Sequence, residues 1–136
     1  MQKVLILCTG NSARSQMAEG LLRHLAGHRY EVHSAGTKPG IVRPEAIAVM
    51  QEIGIDITSH RSKHVDEFAG QHFDYVLTVC DNANEVCPVY PANTTLLHRT
   101  FPDPAGVEGS EEERNEAFRQ VRRQLRTYLE TFPPES

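Results

Sequence analysis

The segment from Cys8 to Ser15 constrains the fold of this chain more than any other feature of the sequence. The apolar run Val4–Leu7 predicts a buried strand that Cys8 ends. Five residues separate Cys8 from Arg14, and apolar residues then recur at helical spacing. We therefore predict a strand, a short loop and a helix over Ser15–Ala26. Such a loop suits a tetrahedral oxyanion, because its N–H groups can form an anion nest beside the positive end of the helix dipole.

The predicted oxyanion-binding loop combines a nucleophile with an anion cradle. Its members are Thr9, Gly10, Asn11, Ser12, Ala13, Arg14 and Ser15. Arg14 supplies a planar fork of donors that can hold two oxygens at once. The positive field of Arg14 and of the helix start favours the thiolate at Cys8, which is the nucleophilic form. The alternative is that Cys8 is a small buried hydrophobic residue at a strand end.

Length and charge limit the remaining classes of function. The 136 residues suit one domain, which we predict over residues 1–132 with a tail at 133–136. The formal net charge of −4 argues against nucleic acid or an anionic membrane as the main partner, since both select basic surfaces. The longest N-terminal apolar run is too short for a signal segment or a membrane span, which predicts a cytoplasmic protein. Three cysteines, an odd number, do not indicate a secreted disulfide framework.

Strand and helix patterns alternate along the rest of the chain. Further strands are predicted at 31–34, 75–79 and 94–97, and further helices at 44–53, at 62–68 and from the acidic stretch 111–113 to 129. Ala35-Gly36 is predicted to be a turn, and Gly54 to end the helix before it. This alternation favours an α/β fold with a parallel sheet covered on both faces. Ligands of such sheets bind beyond the carboxyl ends of the strands, where the Cys8 loop begins.

The second and third cysteines follow the strand predicted at 75–79. Cys80 comes directly after Val79, and Cys87 lies seven positions later. If that strand is a parallel neighbour of the first, Cys80 leaves the sheet at the same end as Cys8. Seven helical residues span roughly 10 Å, whereas a disulfide needs Cα atoms within roughly 7 Å, so a Cys80–Cys87 bridge requires local unwinding. The alternatives are inert thiols or a zinc site, which this spacing matches poorly.

A carboxylate is held between prolines in the segment Pro102-Asp103-Pro104. The prolines restrict the backbone and so keep Asp103 in one place. A protonated carboxyl near a bound oxyanion could donate its proton to a leaving oxygen. Asp103 is therefore a candidate general acid, and the alternative is an ordinary turn aspartate.

Together these motifs resemble the thioredoxin-coupled arsenate reductases, which are built on the low-molecular-weight protein tyrosine phosphatase fold. The resemblance covers nearly the whole chain. The matching segments are Cys8–Glu19, Ser34–Gly36, Gly54–Asp56, Phe73-Asp74, Cys80-Asp81, Cys87-Pro88 and Asp103-Pro104. The first segment is shared with the phosphatases, whereas the Cys80/Cys87 pair specifies the reductase. The fold implied is a three-layer sandwich, in which helices flank a central four-stranded parallel sheet.

The resemblance also implies a relay of three thiols that converts arsenate to arsenite. Cys8 attacks arsenate, the loop amides and Arg14 hold its other oxygens, and Asp103 protonates the departing oxygen. Cys80 then attacks Cys8 and expels arsenite. Cys87 attacks Cys80 in turn, which leaves a redox-active Cys80–Cys87 disulfide. Thioredoxin is the implied reductant, with glutaredoxin or a low-molecular-weight thiol still open, and no tightly bound cofactor is implied.

Partners and ions follow from the same resemblance. It implies arsenate as substrate, phosphate and sulfate as its mimics, a monomer, and a role in arsenical resistance. Some relatives bind potassium through groups that match Asn11, Glu19 and Ser34. Here Arg61 and Lys63 lie in the segment that would complete such a site. Since their positive charge could substitute for a cation, we expect no bound metal.

Two other classes of function remain open from the sequence. The first is a phosphatase acting on phosphotyrosine or other phosphoprotein groups, because the loop alone cannot separate phosphate from arsenate. Such phosphatases usually place aromatic residues just beyond the Asp-Pro step, where this chain has Ala105-Gly106-Val107, and they do not need Cys80 and Cys87. Weak phosphatase activity is still expected as a by-product. The second is a phosphate-sensing module, which would need no nucleophile in its cradle.

Overall fold

A computed structural model describes residues 1–79 and 94–132 of the chain. Within them, four strands form one sheet: β1 (Gln2–Cys8), β2 (Tyr30–Gly36), β3 (Tyr75–Thr78) and β4 (Thr95–His98). Their order across the sheet is β2-β1-β3-β4, and each neighbouring pair is parallel. The predicted α/β fold with a four-stranded parallel sheet is confirmed.

The described residues also form three α-helices: α1 (Arg14–Ala26), α2 (Pro44–Gln51) and α3 (Glu111–Leu129). The helices contact one another, and α1 also contacts β1 and β2. Val4–Leu7 of β1 are at most 1% exposed. Because successive strand residues face opposite sides, both faces of the central strand are covered, as the prediction requires.

Two segments beside the Cys8 loop differ from their predicted structure. The helix predicted over 62–68 is reduced to one 3-10 turn, Val65–Phe68. The residues before it instead follow the end of β2, since Lys63 O accepts a hydrogen bond from Gly36 N at 2.8 Å. The turn predicted at Ala35-Gly36 belongs to β2, because Gly36 pairs with Cys8 across the sheet. Long-range pairing therefore overrides both local signals.

The predicted boundaries of most elements shift by one or two residues, and β4 at Thr95–His98 lies one residue later than predicted. Helix α1 begins at Arg14 and not at Ser15, and β3 ends at Thr78 and not at Val79. Helix α2 ends at Gln51, and Gly54 follows it in the left-handed region with φ 78°. Boundaries shift in this way because terminal residues are held by few hydrogen bonds.

Two glycines permit close packing, Gly36 against the Cys8 loop and Gly20 on α1. A Cβ atom on Gly36 would lie 2.4 Å from Thr9 O, so only glycine lets β2 run against the loop. A Cβ atom on Gly20 would lie 2.9 Å from Ile57 Cγ2, so Gly20 lets α1 approach that side chain. Glycine therefore occurs at two positions where a side chain would collide with a neighbouring segment.

Helix α3 is fixed at its start and along its length. Ser110 and Glu113 form a reciprocal capping box, and the first turn carries the three glutamates predicted there. Further along, Arg119 and Arg122 both donate hydrogen bonds to Glu52 just beyond α2. Of the helices in residues 1–79 and 94–132, none is long and apolar enough to span a membrane.

The carboxyl ends of β1 and β3 lie side by side. Val79 N donates a hydrogen bond of 2.9 Å to Leu7 O, the carbonyl just before Cys8. The strand that precedes Cys80 is therefore a parallel neighbour of β1, as the argument about the cysteines required. Cys80 and Cys87 lie outside the described residues, so their own placement stays a prediction.

Candidate active site

Cys8 lies at the carboxyl end of β1, where it is only 4% exposed. A cavity of about 230 Å³ opens beside it. The lining residues are Cys8, Thr9, Gly10, Ser12, Ala13, Arg14, Asp103 and Ala105. The structure therefore brings the predicted nucleophile, most of the predicted loop and the predicted acid to one cavity, although Asp103 is distant in sequence.

Carbonyl groups of the loop accept hydrogen bonds on its outer side, from residues 38–43 and from Ser62. The bonds run from Lys38 N to Thr9 O (2.9 Å), from Gly40 N to Gly10 O (3.3 Å), from Ser62 Oγ to Gly10 O (2.8 Å) and from Arg43 N to Ser12 O (2.8 Å). Because a trans peptide is planar, the N–H group of each such unit points away from its carbonyl oxygen. These bonds therefore turn peptide N–H groups away from the outer side, as an anion nest requires.

Asn11 anchors the loop from behind. It has a positive φ of 47° and is fully buried. Its Nδ2 donates to the hydroxyls of Ser15 and Ser34, both at 2.9 Å, while its Oδ1 accepts from Lys63 N at 2.8 Å. Gln16 Nε2 also donates to that Oδ1, at 3.0 Å. Asparagine fits here because it tolerates the left-handed region and satisfies both ends of its amide.

Arg14 connects the loop to the segment that carries Asp103. Its Nη1 donates to Phe101 O at 3.1 Å, and its Nη2 lies 3.8 Å from Asp103 Oδ2. Asp103 Oδ1 accepts from Ala105 N at 3.0 Å, at the start of the 3-10 turn Pro104–Gly106. The Asp103 side chain remains 54% exposed, so it can reach a ligand at the mouth of the cavity.

A buried polar cluster supports the loop on the side away from the cavity. We call it the rear cluster, and its members are Gln16, Glu19, Ser34, His60 and Lys63. Glu19 is 2% exposed, and its Oε1 accepts from the Ser34 hydroxyl at 2.5 Å. Gln16 Oε1 lies 3.0 Å from His60 Nδ1, while its Nε2 donates to Asn11. The Asn11 amide therefore joins the rear cluster to the cavity wall.

Arg23 and two members of the rear cluster place basic groups around Glu19. Arg23 Nη1 lies 3.1 Å from Glu19 Oε2, His60 Nε2 lies 3.6 Å from the same oxygen, and Lys63 Nζ lies 3.9 Å from Oε1. Burial lowers the pKa of His60, against the attraction of Glu19. Burial likewise lowers the pKa of Lys63, and again Glu19 opposes the shift. At both groups, burial therefore outweighs the attraction of the same buried carboxylate.

The two basic residues named from the sequence occupy different environments. Arg61 points outward and pairs with Glu67 at the surface. Lys63 points inward, where its Nζ donates to Arg61 O at 2.9 Å. The ammonium of Lys63 and the guanidinium of Arg23 flank Glu19, so a further cation would meet repulsion there. The residues present do not fit a bound potassium ion beside Glu19.

Gln16 and His60 were not predicted from the sequence to be parts of the site. Gln16 belonged to the matching motif but carries no chemical signature, and His60 lies 44 positions further along the chain. The one available signal was a pair of polar residues, Gln16 and Glu19, within the apolar pattern of α1. Among residues 1–79 and 94–132, no group of three or more His, Cys, Asp or Glu side chains could hold a metal ion.

The fold and this site match one protein family. The family described as low molecular weight phosphotyrosine protein phosphatase matches residues 3–135, and the chain belongs to it. Its relatives include the arsenate reductase of Halalkalibacterium halodurans, which is 43% identical over 129 residues, covering 95% of this chain and 93% of the relative. Within the family, the chain therefore groups with proteins named arsenate reductases.

Solved structures agree with this grouping. An arsenate reductase in its phosphate-binding state is 34% identical, with a TM-score of 0.72, and the match covers 96% of this chain and 95% of the other. The thioredoxin-dependent arsenate reductase of Corynebacterium glutamicum is 30% identical, with a TM-score of 0.69. That match covers 95% of this chain and 62% of the Corynebacterium chain.

Proposed function

We propose that this protein is an arsenate reductase that uses Cys8 as its nucleophile. The observation that carries the proposal is the single cavity that holds Cys8, Arg14 and Asp103. Its volume of about 230 Å³ suits a small inorganic oxyanion. The similarity to proteins named arsenate reductases supports this choice of oxyanion over others of the same shape.

The first step is attack on arsenic. The Cys8 thiolate forms a sulfur–arsenic bond, and one arsenic–oxygen bond breaks. Asp103 gives its proton to the departing oxygen, which leaves as water. Arg14 and the loop N–H groups hold the remaining oxygens, where negative charge develops. Arsenic stays pentavalent through this step, so no external electrons are needed yet.

The reduction follows when Cys80 attacks the sulfur of Cys8. A Cys8–Cys80 disulfide forms, the sulfur–arsenic bond breaks, and its electron pair reduces arsenic to the trivalent state, which leaves as arsenite. Cys87 then attacks Cys80, forms the Cys80–Cys87 disulfide and releases Cys8 as thiolate. The dithiol of thioredoxin reduces that disulfide and is itself oxidised. The register of β1 with β3 supports the attack of Cys80 on Cys8, since Val79, the residue before Cys80, donates a hydrogen bond to Leu7, the residue before Cys8.

Hydrolysis of phosphoprotein groups is the second candidate, because the same cradle would hold phosphate. The cavity argues against an aryl phosphate as the main substrate. The residue after the Asp103-Pro104 step is Ala105, and none of the described lining residues is aromatic. Among the described lining residues, a phenyl ring would therefore find no ring to stack on, and we propose only weak phosphatase activity.

The proposal is tested by arsenate-dependent consumption of NADPH in the presence of thioredoxin and thioredoxin reductase. We expect steady turnover with thioredoxin, slower turnover when glutaredoxin or glutathione replaces it, and slow hydrolysis of p-nitrophenyl phosphate. Absence of arsenate-dependent consumption with every donor would refute the proposal. Faster phosphate ester hydrolysis than arsenate reduction would instead favour the phosphatase.

The relay itself is tested by Cys87→Ser. This variant should reduce about one equivalent of arsenate and then stop with Cys8 linked to Cys80, because the next thiol in the relay is missing. Quench-flow measurement of arsenite and mass spectrometry of peptides report both outcomes. Continued turnover, or a disulfide that joins other residues, would contradict the order of the steps.

A further inference from the structure

Glu19 is an ionisable group buried behind the active-site loop. Its carboxylate receives the Ser34 hydroxyl at 2.5 Å on Oε1 and lies 3.1 Å from Arg23 on Oε2. A buried carboxylate is costly unless opposite charges and hydrogen bonds compensate it. The Arg23 side chain is 46% exposed, so water screens its charge. The nearest mostly buried cation is Lys63, whose side chain is 13% exposed and whose Nζ lies 3.9 Å from Glu19 Oε1.

Lys63 also contacts the loop through its backbone. Its N–H donates to Asn11 Oδ1 at 2.8 Å, and its carbonyl accepts from Gly36 N at 2.8 Å. Asn11 in turn donates to Ser34, whose hydroxyl donates to Glu19. These contacts form a ring that runs from the Lys63 backbone through Asn11, Ser34 and Glu19. The ring closes where the Lys63 ammonium lies beside Glu19. The charge of Lys63 and the geometry of the Cys8 loop are therefore connected by three hydrogen bonds.

We propose that the Lys63 ammonium is a built-in countercation that positions the Cys8 loop and makes a bound metal cation unnecessary there. The ammonium neutralises Glu19, which lets Glu19 orient Ser34, and Ser34 fixes the Asn11 amide at the back of the loop. Lys63 touches no substrate, so it is a positioning residue. This inference concerns anion binding by the loop in general, so it holds or fails independently of arsenate reduction.

The contacts of Nζ show what should follow when the ammonium is removed. Glu19 Oε1 and Arg61 O would both lose their nearest cationic partner. Carboxylate and carbonyl oxygens are the ligands that hard metal cations prefer. Lys63→Ala opens space beside these oxygens, whereas Lys63→Met removes the charge but keeps the space filled. A monovalent cation should therefore be able to rescue the alanine variant and not the methionine variant.

The experiment measures the affinity for inorganic phosphate and the melting temperature, in potassium chloride and in N-methylglucamine chloride at equal ionic strength. The wild type should bind phosphate equally well with either cation. Both Lys63 variants should lose at least about fivefold in affinity in N-methylglucamine, in the range of typical coupling between sites. Potassium should restore the affinity and melting temperature of Lys63→Ala only.

Arg61→Ala is the matched control, since it removes the same charge two residues away on the surface and keeps the backbone carbonyl. It should bind phosphate as the wild type does, with either cation. A potassium response in the wild type would overturn the proposal, and so would unchanged affinity in both Lys63 variants. Equal loss in Arg61→Ala would show a general charge effect and overturn it too. If potassium does not rescue Lys63→Ala, the loss of phosphate affinity is due to altered packing, and the proposal is overturned.

Discussion

The two sides of the Cys8 loop differ in how they meet water. On the cavity side, Arg14 and the half-exposed Asp103 face a space that a ligand can enter. On the other side, Asn11 and Glu19 are at most 2% exposed, and both form a hydrogen bond with the Ser34 hydroxyl. The cavity must stay open to a ligand, so the hydrogen bonds that fix the loop come from its other side. The hydrogen bonds that hold Asn11 in the loop therefore come from residues that do not line the cavity, such as Ser34 and Lys63.

Cys8→Ser should have the largest effect on the cavity side. Arsenate turnover should fall to background, because a hydroxyl is a far weaker nucleophile than a thiolate. The free energy of unfolding should change little, since the substituted atom is small. Arsenate-dependent NADPH consumption and urea unfolding measure the two quantities. Turnover that survives the substitution would remove Cys8 from the mechanism.

Asp103→Asn should slow chemistry without loosening the fold. Loss of a general acid typically costs about 10²–10⁴-fold in rate. The side chain is half exposed, and its Oδ1 bond to Ala105 N can be made by an amide oxygen. Rapid-quench measurement of a single turnover isolates the chemical step. An unchanged rate in that measurement would leave Asp103 as a turn residue.

Glu19→Gln should show the opposite pattern, with loss of stability as its main effect. Removal of the carboxylate leaves Lys63 without its buried partner, and breaking such a pair costs about 3 kcal/mol. Urea unfolding measures this cost. Glu67→Gln is the matched control, because Glu67 pairs with Arg61 at the surface and should cost about 0.5 kcal/mol or less. Similar losses of unfolding free energy in both variants would show that the rear cluster stabilises the fold no more than a surface ion pair does.

Ser62→Ala should have the smallest effect of the four. Its hydroxyl donates to Gly10 O at 2.8 Å and accepts from Gly40 N at 3.0 Å, at the outer edge of the loop. The variant loses both bonds, and each costs about 1 kcal/mol or less. Urea unfolding gives the stability, and phosphate titration shows whether the nest is disturbed. A loss as large as that of Glu19→Gln would mean that the outer edge, and not the rear cluster, holds the loop.

The order of strands and helices was predictable because it rests on local patterns. Apolar residues at helical spacing follow Ser15, and the glutamates at 111–113 precede α3, so each segment carries its own signal. Predictions were wrong where distant pairing competes with a local signal. Ala35-Gly36 carries a turn signal, yet Gly36 extends β2 because it pairs with Cys8.

The sequence by itself determined the parallel α/β fold and the strand, loop and helix around Cys8 to Arg14, because residue type and spacing encode both of them. It offered Asp103 only as a candidate, and the tertiary structure placed that residue at the same cavity as Cys8. The tertiary structure alone decided that Lys63 faces Glu19 while Arg61 faces solvent. The two residues have the same charge and lie two positions apart, so no local pattern separates them. They differ in burial, because the Lys63 side chain is withdrawn from water only once α1, β2 and the 60–64 segment pack together.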